Sequence, residues 1–281
     1  MRPTIGVFDS GFGGLTVLRE LLSGVPDAHY VYLGDTARLP YGSKSRETIV
    51  RYALSSGRFL HEHGAELLVV ACNTATALAL HEIRAELPIP VLGVIDPGTR
   101  AAARACAAAA LGQRRGVLVL ATQATVESHA YARSCASAGL EATEKACPLL
   151  VPLVEEGWMP DGSRADTSVV TSQVLRIYLG EALEQAPATG AVLLGCTHYP
   201  LLRGAIERTL GELGHPVPVI DSAQATAEVV AEELGVRRGG GPVTPGRCEF
   251  FATDSVAKFG RLGTRFLGRP VEDVRLVDLG G

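Results

Sequence analysis

Two short stretches of the chain carry reactive residue types in the same layout. Leu67 to Ala71 is an apolar run that stops at Cys72 and continues into Asn73, Thr74, Ala75 and Thr76. Far downstream, Ala191 to Leu194 is a second apolar run that passes through Gly195 into Cys196, Thr197, His198, Tyr199 and Pro200. Each run reads as a buried strand, which puts each cysteine at a strand's carboxyl end, where open α/β sheets bind ligands. The free N–H groups and positive dipole end of a following helix favour a thiolate there and hold an anion. A thiol whose pKa is lowered from about 8.5 is a nucleophile and also a general base. Two such thiols can face each other across a substrate.

The other four cysteines differ. Cys106 and Cys135 fall in alanine-rich helical segments and read as small buried hydrophobes; Cys147 and Cys248 have no comparable polar motif. The six cysteines are scattered through a chain far too long for a small disulfide scaffold, so they read as thiols. There is no Cys-x-x-Cys or His-x-x-x-His pair, and His61 and His63 point to different sides of a helix, so no metal is expected. Two rival chemistries remain open. His198 beside Cys196 allows a Cys–His nucleophile, which leaves Cys72 unexplained and needs an unusual turn. A redox pair lacks the compact spacing of disulfide exchange.

The elements that must position these residues alternate between strand and helix, which means largely parallel sheets with helices on both faces. Thr4 to Phe8 is a strand, and Asp9, Ser10, Gly11, Phe12, Gly13 and Gly14 form a glycine-rich turn before the helical pattern Leu15, Leu18, Leu21, Leu22. This turn lacks the third glycine of a dinucleotide fingerprint and the Gly-Lys-Ser/Thr of a P-loop; it suits a smaller anion such as a carboxylate. Asp9 can equally be a helix cap. His29 to Asp35 is the next strand, followed by a turn-rich loop in which Tyr41 is either a packing aromatic or a ligand contact, beside Gly42. Helices are expected from Ser45 to His63 and from Ala75 to Glu86. A strand from Val91 should stop at Asp96-Pro97-Gly98, before an alanine helix from Ala101 to Leu111.

Gly116 to Ala121 opens a second series. Thr122, Thr125 and Ser128 sit where hydroxyls cap a helix or bind an anion. Glu155 lies in apolar surroundings that would raise its pKa, or forms a solvated surface pair with Glu156. Trp158 to Arg164 reads as a loop, Asp166 to Leu183 and Leu201 to Leu213 as helices, Val217 to Asp221 as a strand end, Ala223 to Leu234 as a helix, and Arg237 to Gly246 as a Gly/Pro-rich link before a last strand and helix.

At 281 residues with a 47% hydrophobic fraction, the chain can fill one large or two ordinary cores. A formal charge of −4 with no basic stripe argues against nucleic acid as the main partner. The absence of a long apolar or signal-type segment at the N-terminus gives the expectation of a soluble, cytoplasmic protein with no membrane partner.

Taken in order, Asp9 to Leu15, Gly34-Asp35-Thr36 with Leu39-Pro40-Tyr41-Gly42, Cys72 to Ala75, Pro148 to Glu155, and Gly195 to Pro200 resemble glutamate racemase, a member of the aspartate/glutamate racemase superfamily. The resemblance runs from Ile5 to about Asp221. It implies a cofactor-independent proton transfer that interconverts L- and D-glutamate and supplies D-glutamate for peptidoglycan. By the same resemblance, Cys72 acts on the D-isomer and Cys196 on the L-isomer, Asp9 assists Cys72, and His198 with Glu155 assists Cys196. Substrate contacts are implied for Asp9, Ser10, Tyr41, Gly42, Asn73, Thr74, Thr122, Thr125, Thr197 and His198. One residue departs from the pattern: Ala121 stands before Thr122 where the family usually has glycine, and its methyl is expected to tighten that loop.

The resemblance further implies two similar α/β domains with the active site at their interface, residues 1–95 plus 207–281 forming the first and 96–206 the second. Hinges are expected near Ile95 to Gly98 and Arg203 to Ile206. Assembly as a homodimer is left open. The alternatives are a racemase of aspartate or a related acid, and a non-catalytic amino-acid-binding or regulatory protein on the same fold. Tyr41-Gly42 and Cys196-Thr197-His198 favour glutamate, and the presence of both cysteines with Asp9 and His198 speaks against a protein without catalysis.

Overall fold

The computed structural model of the chain describes residues 2–108, 116–159, 165–235 and 246–280. Strands β1 (Thr4–Asp9), β2 (His29–Gly34), β3 (Leu67–Val70) and β4 (Val91–Gly93) alternate with helices α1 (Leu15–Gly24), α2 (Arg46–Glu62) and α3 (Asn73–Glu86). Helix α4 (Ile95–Ala108) then leads to β5 (Gly116–Ala121), α5 (Gln123–Glu127), α6 (Ala130–Ser137), β6 (Glu141–Ala146), α7 (Leu150–Glu155), α8 (Ala165–Gln185) and β7 (Thr189–Gly195). The chain closes with α9 (Arg203–Glu212), β8 (Val219–Asp221), α10 (Ser222–Glu233), β9 (Cys248–Ala252), α11 (Val256–Leu267) and β10 (Arg275–Leu276). The expected helix end at Leu111, residues 160–164 of the expected loop and residues 237–245 of the expected link lie outside the described residues.

Two sheets form, one six-stranded in the order β10-β9-β2-β1-β3-β4 and one four-stranded in the order β6-β5-β7-β8. Among the described residues every strand pairing is parallel. The central strands β1, β3 and β7 are near-continuous apolar runs because helices cover both of their faces, and their residues are buried almost throughout. The edge strand β6 instead carries Glu141, Glu144 and Lys145 and is partly exposed, as suits an unpaired edge.

Two features depart from the sequence expectation, each with a physical cause. The strand from Val91 ends at Gly93 and α4 begins at Ile95, because Pro97 falls in the first turn of a helix, where its missing N–H is harmless. β8 pairs with β7, so the second sheet runs past the 206/207 boundary and takes its edge strand from the segment expected in the first domain. The C-terminal segment extends the first sheet: β9 pairs with β2 and β10 with β9. Helix α11, with Phe259, Leu262, Phe266 and Leu267 buried along one face, packs beside α1.

Candidate active site

Cys72 follows β3 and occupies the N-cap of α3, where its Sγ accepts a hydrogen bond from the Ala75 N–H at 3.4 Å. The thiol also reaches Ser10 Oγ at 3.5 Å. These contacts and the helix end favour a thiolate. Burial, and then the nearby Asp9 charge, oppose it and push the thiol up to about 11. The helix-favoured thiolate expected from the sequence is therefore a protonated thiol at neutral pH, because desolvation outweighs the dipole.

Asp9 ends β1 and is buried; its Oδ2 accepts from the Gly11 N–H at 2.9 Å and its Oδ1 from Thr197 Oγ1 at 3.5 Å. It thus ties the glycine-rich turn of the first sheet to the strand end of the second, while the N-cap position of α1 is taken by Gly14 without a side-chain bond. Burial raises the Asp9 carboxyl above its ordinary range, against the lowering effect of the His198 charge and the Gly14 and Gly11 N–H groups. The turn needs its glycines for close approach. A Cβ on Gly13 would lie 2.2 Å from Thr197 Oγ1 and 2.6 Å from His198 Nδ1.

Cys196 follows β7, and the Tyr199 N–H bonds back to its carbonyl at 3.1 Å. A 3-10 turn over Tyr199–Leu202 intervenes before α9, so this thiol has no α-helix N-terminus beside it. The turn brings His198 Nδ1 to 3.9 Å from Cys196 Sγ although the residues are two apart. On its other side, His198 Nε2 lies 3.2 Å from Glu155 Oε1, and Glu155 Oε2 lies 3.3 Å from Lys258 Nζ. Burial moves the Cys196 thiol well above its usual range, with Cys72 and Asp9 adding to it. Burial also pushes Glu155 up, but the His198 hydrogen bond and charge, with Lys258, outweigh it and hold the carboxyl below its usual range. Neither sequence expectation for Glu155, a raised pKa or a solvated pair with Glu156, survives this pairing.

A cavity of about 430 Å³ is lined by both thiols together with Ser10, Tyr41, Gly42, Asn73, Thr74, Thr122, Thr197, His198 and Glu155. Asp9 and Thr125 are absent from its lining and stand behind it. Thr122 occupies the N-cap of α5 yet makes no capping bond. Its hydroxyl lies 3.0 Å from Thr74 Oγ1 and 3.0 Å from Thr125 Oγ1, and Thr125 lies 3.1 Å from Thr74, so the three hydroxyls join the two sheets' loops. Ala121 is buried and does not prevent this. Gly42 permits the approach, since a Cβ there would meet Thr122 Cβ at 2.9 Å. Tyr41 is both wall and packing: its ring is buried and its hydroxyl donates to Asp35 Oδ2 at 2.5 Å.

Several supporting residues carried no decisive sequence signal. Arg38 Nε bonds both oxygens of Asp35 at 2.8 and 2.7 Å, and Thr253 Oγ1 donates to Oδ1 at 3.0 Å; only the strand-end position of Asp35 hinted at this cluster. Tyr131 donates to Asn73 Oδ1 at 2.6 Å, which fixes that amide. Leu39, Pro40, Val151 and Pro152 supply an apolar wall. Among the described residues no lysine or arginine lines the cavity, so an anionic substrate would be met there by hydroxyls and backbone N–H groups at the loop and helix starts. Among the described residues, no group of three or more His, Cys, Asp or Glu side chains could hold a metal ion, and no helix is long and apolar enough to cross a membrane.

Parallel α/β sheets that meet over a shared pocket, each lending it a cysteine, define the class: an α/β enzyme acting on a small molecule. Residues 5–230 match the family described as Asp/Glu/Hydantoin racemase, and the chain belongs to that family as an amino-acid racemase. It is 48% identical to the glutamate racemase of Koribacter versatilis, with 100% of this chain and 99% of that protein covered. It superposes on the crystal structure of glutamate racemase isoform RacE1 from Bacillus anthracis with TM-score 0.85 at 34% identity, covering 99% of this chain and 98% of that one. It superposes equally completely, covering 99% and 98%, on the glutamate racemase of Francisella tularensis in complex with D-glutamate, with TM-score 0.83 at 32% identity.

Proposed function

We propose that the enzyme interconverts L- and D-glutamate without a cofactor, with Cys72 and Cys196 as the two acid–base groups. The observation that carries this is a shared cavity lined by one thiol from each sheet, each with its own polar partner. In the L-to-D direction Cys196 takes the α-proton and Cys72 returns one from the opposite side; the reverse direction exchanges their roles. The α-proton of an amino acid is weakly acidic, so a strong base is needed. A thiolate whose conjugate acid titrates near 11 is a stronger base than an ordinary one, and burial that disfavours it at rest is what makes it so.

His198 supports the Cys196 half and is itself backed by Glu155; Asp9 supports the Cys72 half through the turn that carries Ser10. Asn73, Thr74 and the hydroxyls of Ser10 and Thr197 are the proposed donors to the substrate carboxylates, with Thr122 and Tyr41-Gly42 shaping the far end and Thr125 acting from behind. Two domains closing over the cavity, with β8 kept in the second, would exclude water from the carbanion-like transition state. Supply of D-glutamate for peptidoglycan in the cytoplasm, and assembly as a homodimer, belong to the same proposal.

The test is incubation with L-glutamate in D2O with no added cofactor, following optical activity and α-deuterium together. Loss of optical activity with deuterium entering the α-position is expected, and Cys72→Ser and Cys196→Ser should each abolish the loss. A faster reaction with L-aspartate would reassign the substrate. No change in either signal with a folded, reduced protein would turn the proposal toward an amino-acid-binding role.

A further inference from the structure

Helix α11 comes from the C-terminal segment and packs with the first sheet's elements, yet three of its side chains reach across to the second. Lys258 Nζ lies 3.3 Å from Glu155 Oε2, Arg265 donates to the Val154 carbonyl at 2.9 Å, and the Phe266 ring stands edge-on to His198 with centroids 5.0 Å apart. Lys258 also sits over the Phe12 ring, 5.3 Å from its centroid, and Phe12 packs on Phe259. The ammonium is therefore held between an aromatic face and a carboxylate.

We infer that Lys258 is a positioning residue for the Cys196 half of the site, acting through Glu155 on the orientation and tautomer of His198. This rests on the two-thiol mechanism proposed above. Glu155 has two oxygens and two partners: Oε2 faces Lys258 and Oε1 faces His198 Nε2. An ionised carboxylate only accepts hydrogen bonds, so Nε2 carries a hydrogen in either protonation state of the ring, and whenever the ring gives up its other proton it is Nδ1 that becomes the acceptor facing the Cys196 thiol at 3.9 Å. Without the ammonium, Glu155, with an 18% exposed side chain, is free to turn one or both oxygens to water. The imidazole then loses the partner that fixes its ring and its tautomer. The Lys258 side chain is 43% exposed, which limits the strength of its pairing. The expected effect on rate is accordingly modest, about two- to five-fold in kcat/KM.

A rate change of that size could come from loosened packing alone, so the experiment reads which half-reaction is affected. The enantiomers are equal in energy, so kcat/KM must fall equally in both directions and cannot show the asymmetry. Primary isotope effects can. In the Lys258→Met variant, which keeps the apolar stem, transfer at Cys196 becomes the slower step. The isotope effect on kcat/KM should rise with α-deuterated L-glutamate, whose deuteron Cys196 removes, and fall with α-deuterated D-glutamate, whose deuteron Cys72 removes. Lys258→Arg should restore the wild-type pattern. Equal isotope effects in wild type and Lys258→Met, or equal changes for the two isomers, would overturn the inference and leave α11 a structural clasp. Absence of racemisation in the wild-type enzyme would instead refute the two-thiol proposal itself.

Discussion

Gly13→Ala places one methyl group where the two halves of the site touch. The new carbon would lie 2.2 Å from Thr197 Oγ1, 2.6 Å from His198 Nδ1 and 2.8 Å from His198 Cε1. Ordinary non-bonded contacts begin near 3.5 Å, so the Cys196–Tyr199 turn or the glycine loop must retreat by about 1 Å. The turn is anchored: the Thr197 carbonyl accepts from Thr16 Oγ1 at 3.1 Å, and the buried Tyr199 donates to the Cys147 carbonyl at 2.9 Å. The strain therefore falls first on the Thr197 and His198 side chains, which are the groups that serve Asp9 and Cys196. Overpacking of this kind costs about 1–3 kcal/mol, or roughly 2–10 °C in melting temperature for a chain of this size. Misplacing a reacting group by about 1 Å costs on the order of 100-fold in rate. The expected result is a kcat/KM lower by about 30- to 300-fold, equal in both directions, in a protein that still melts cooperatively. Gly24→Ala, whose Cβ would meet Ala227 Cβ at 3.5 Å, is the control and should change neither quantity measurably. Gly13→Ala activity within about threefold of wild type and an unchanged melting temperature would refute the placement of this loop against His198.

Three further outcomes follow from the buried groups. Tyr41→Phe removes a donor from the buried Asp35 carboxylate and should cost about 1.5–3 kcal/mol in denaturant unfolding, with Arg38 and Thr253 still holding Asp35. Asp9 has its carboxyl raised by burial, so the native state binds its proton more tightly than the unfolded chain. Its ionisation therefore reduces stability as pH rises from the ordinary carboxylate range through the raised pKa, and the full penalty is present above it. Asp9→Asn should be more stable than wild type at pH 7 and lose that advantage as pH is lowered through this window, while activity falls; unfolding curves across pH check the sign. Burial and the Asp9 charge push the Cys72 thiol up to about 11, so only about one thiol in a thousand is ionised at pH 8. Iodoacetamide inactivation of the free enzyme should therefore accelerate about tenfold per pH unit up to pH 10. A plateau near pH 8 would show a thiolate at rest.

Most strands and helices, and the strand-end positions of the two thiols, were legible in local residue pattern. Short apolar runs such as Leu67 to Ala71 and Ala191 to Leu194, bounded by polar and turn-forming residues, read as strands buried on both faces, and a parallel sheet puts the residues that follow them, Cys72 and Cys196, at one kind of edge. What the sequence left open depends on contacts between distant segments. The sheet that receives β8 is decided by pairing with β7, a choice that three residues of strand cannot encode alone. Glu155 read equally well as a raised acid or a surface charge, because its pKa depends on His198, 43 residues away, and Lys258, 103 residues away. Likewise the helix start at Cys72 promised a thiolate, whereas burial and Asp9 keep it a thiol. Local pattern sets which groups are present at a strand end; only the tertiary structure sets the desolvation and the partners that decide their charge.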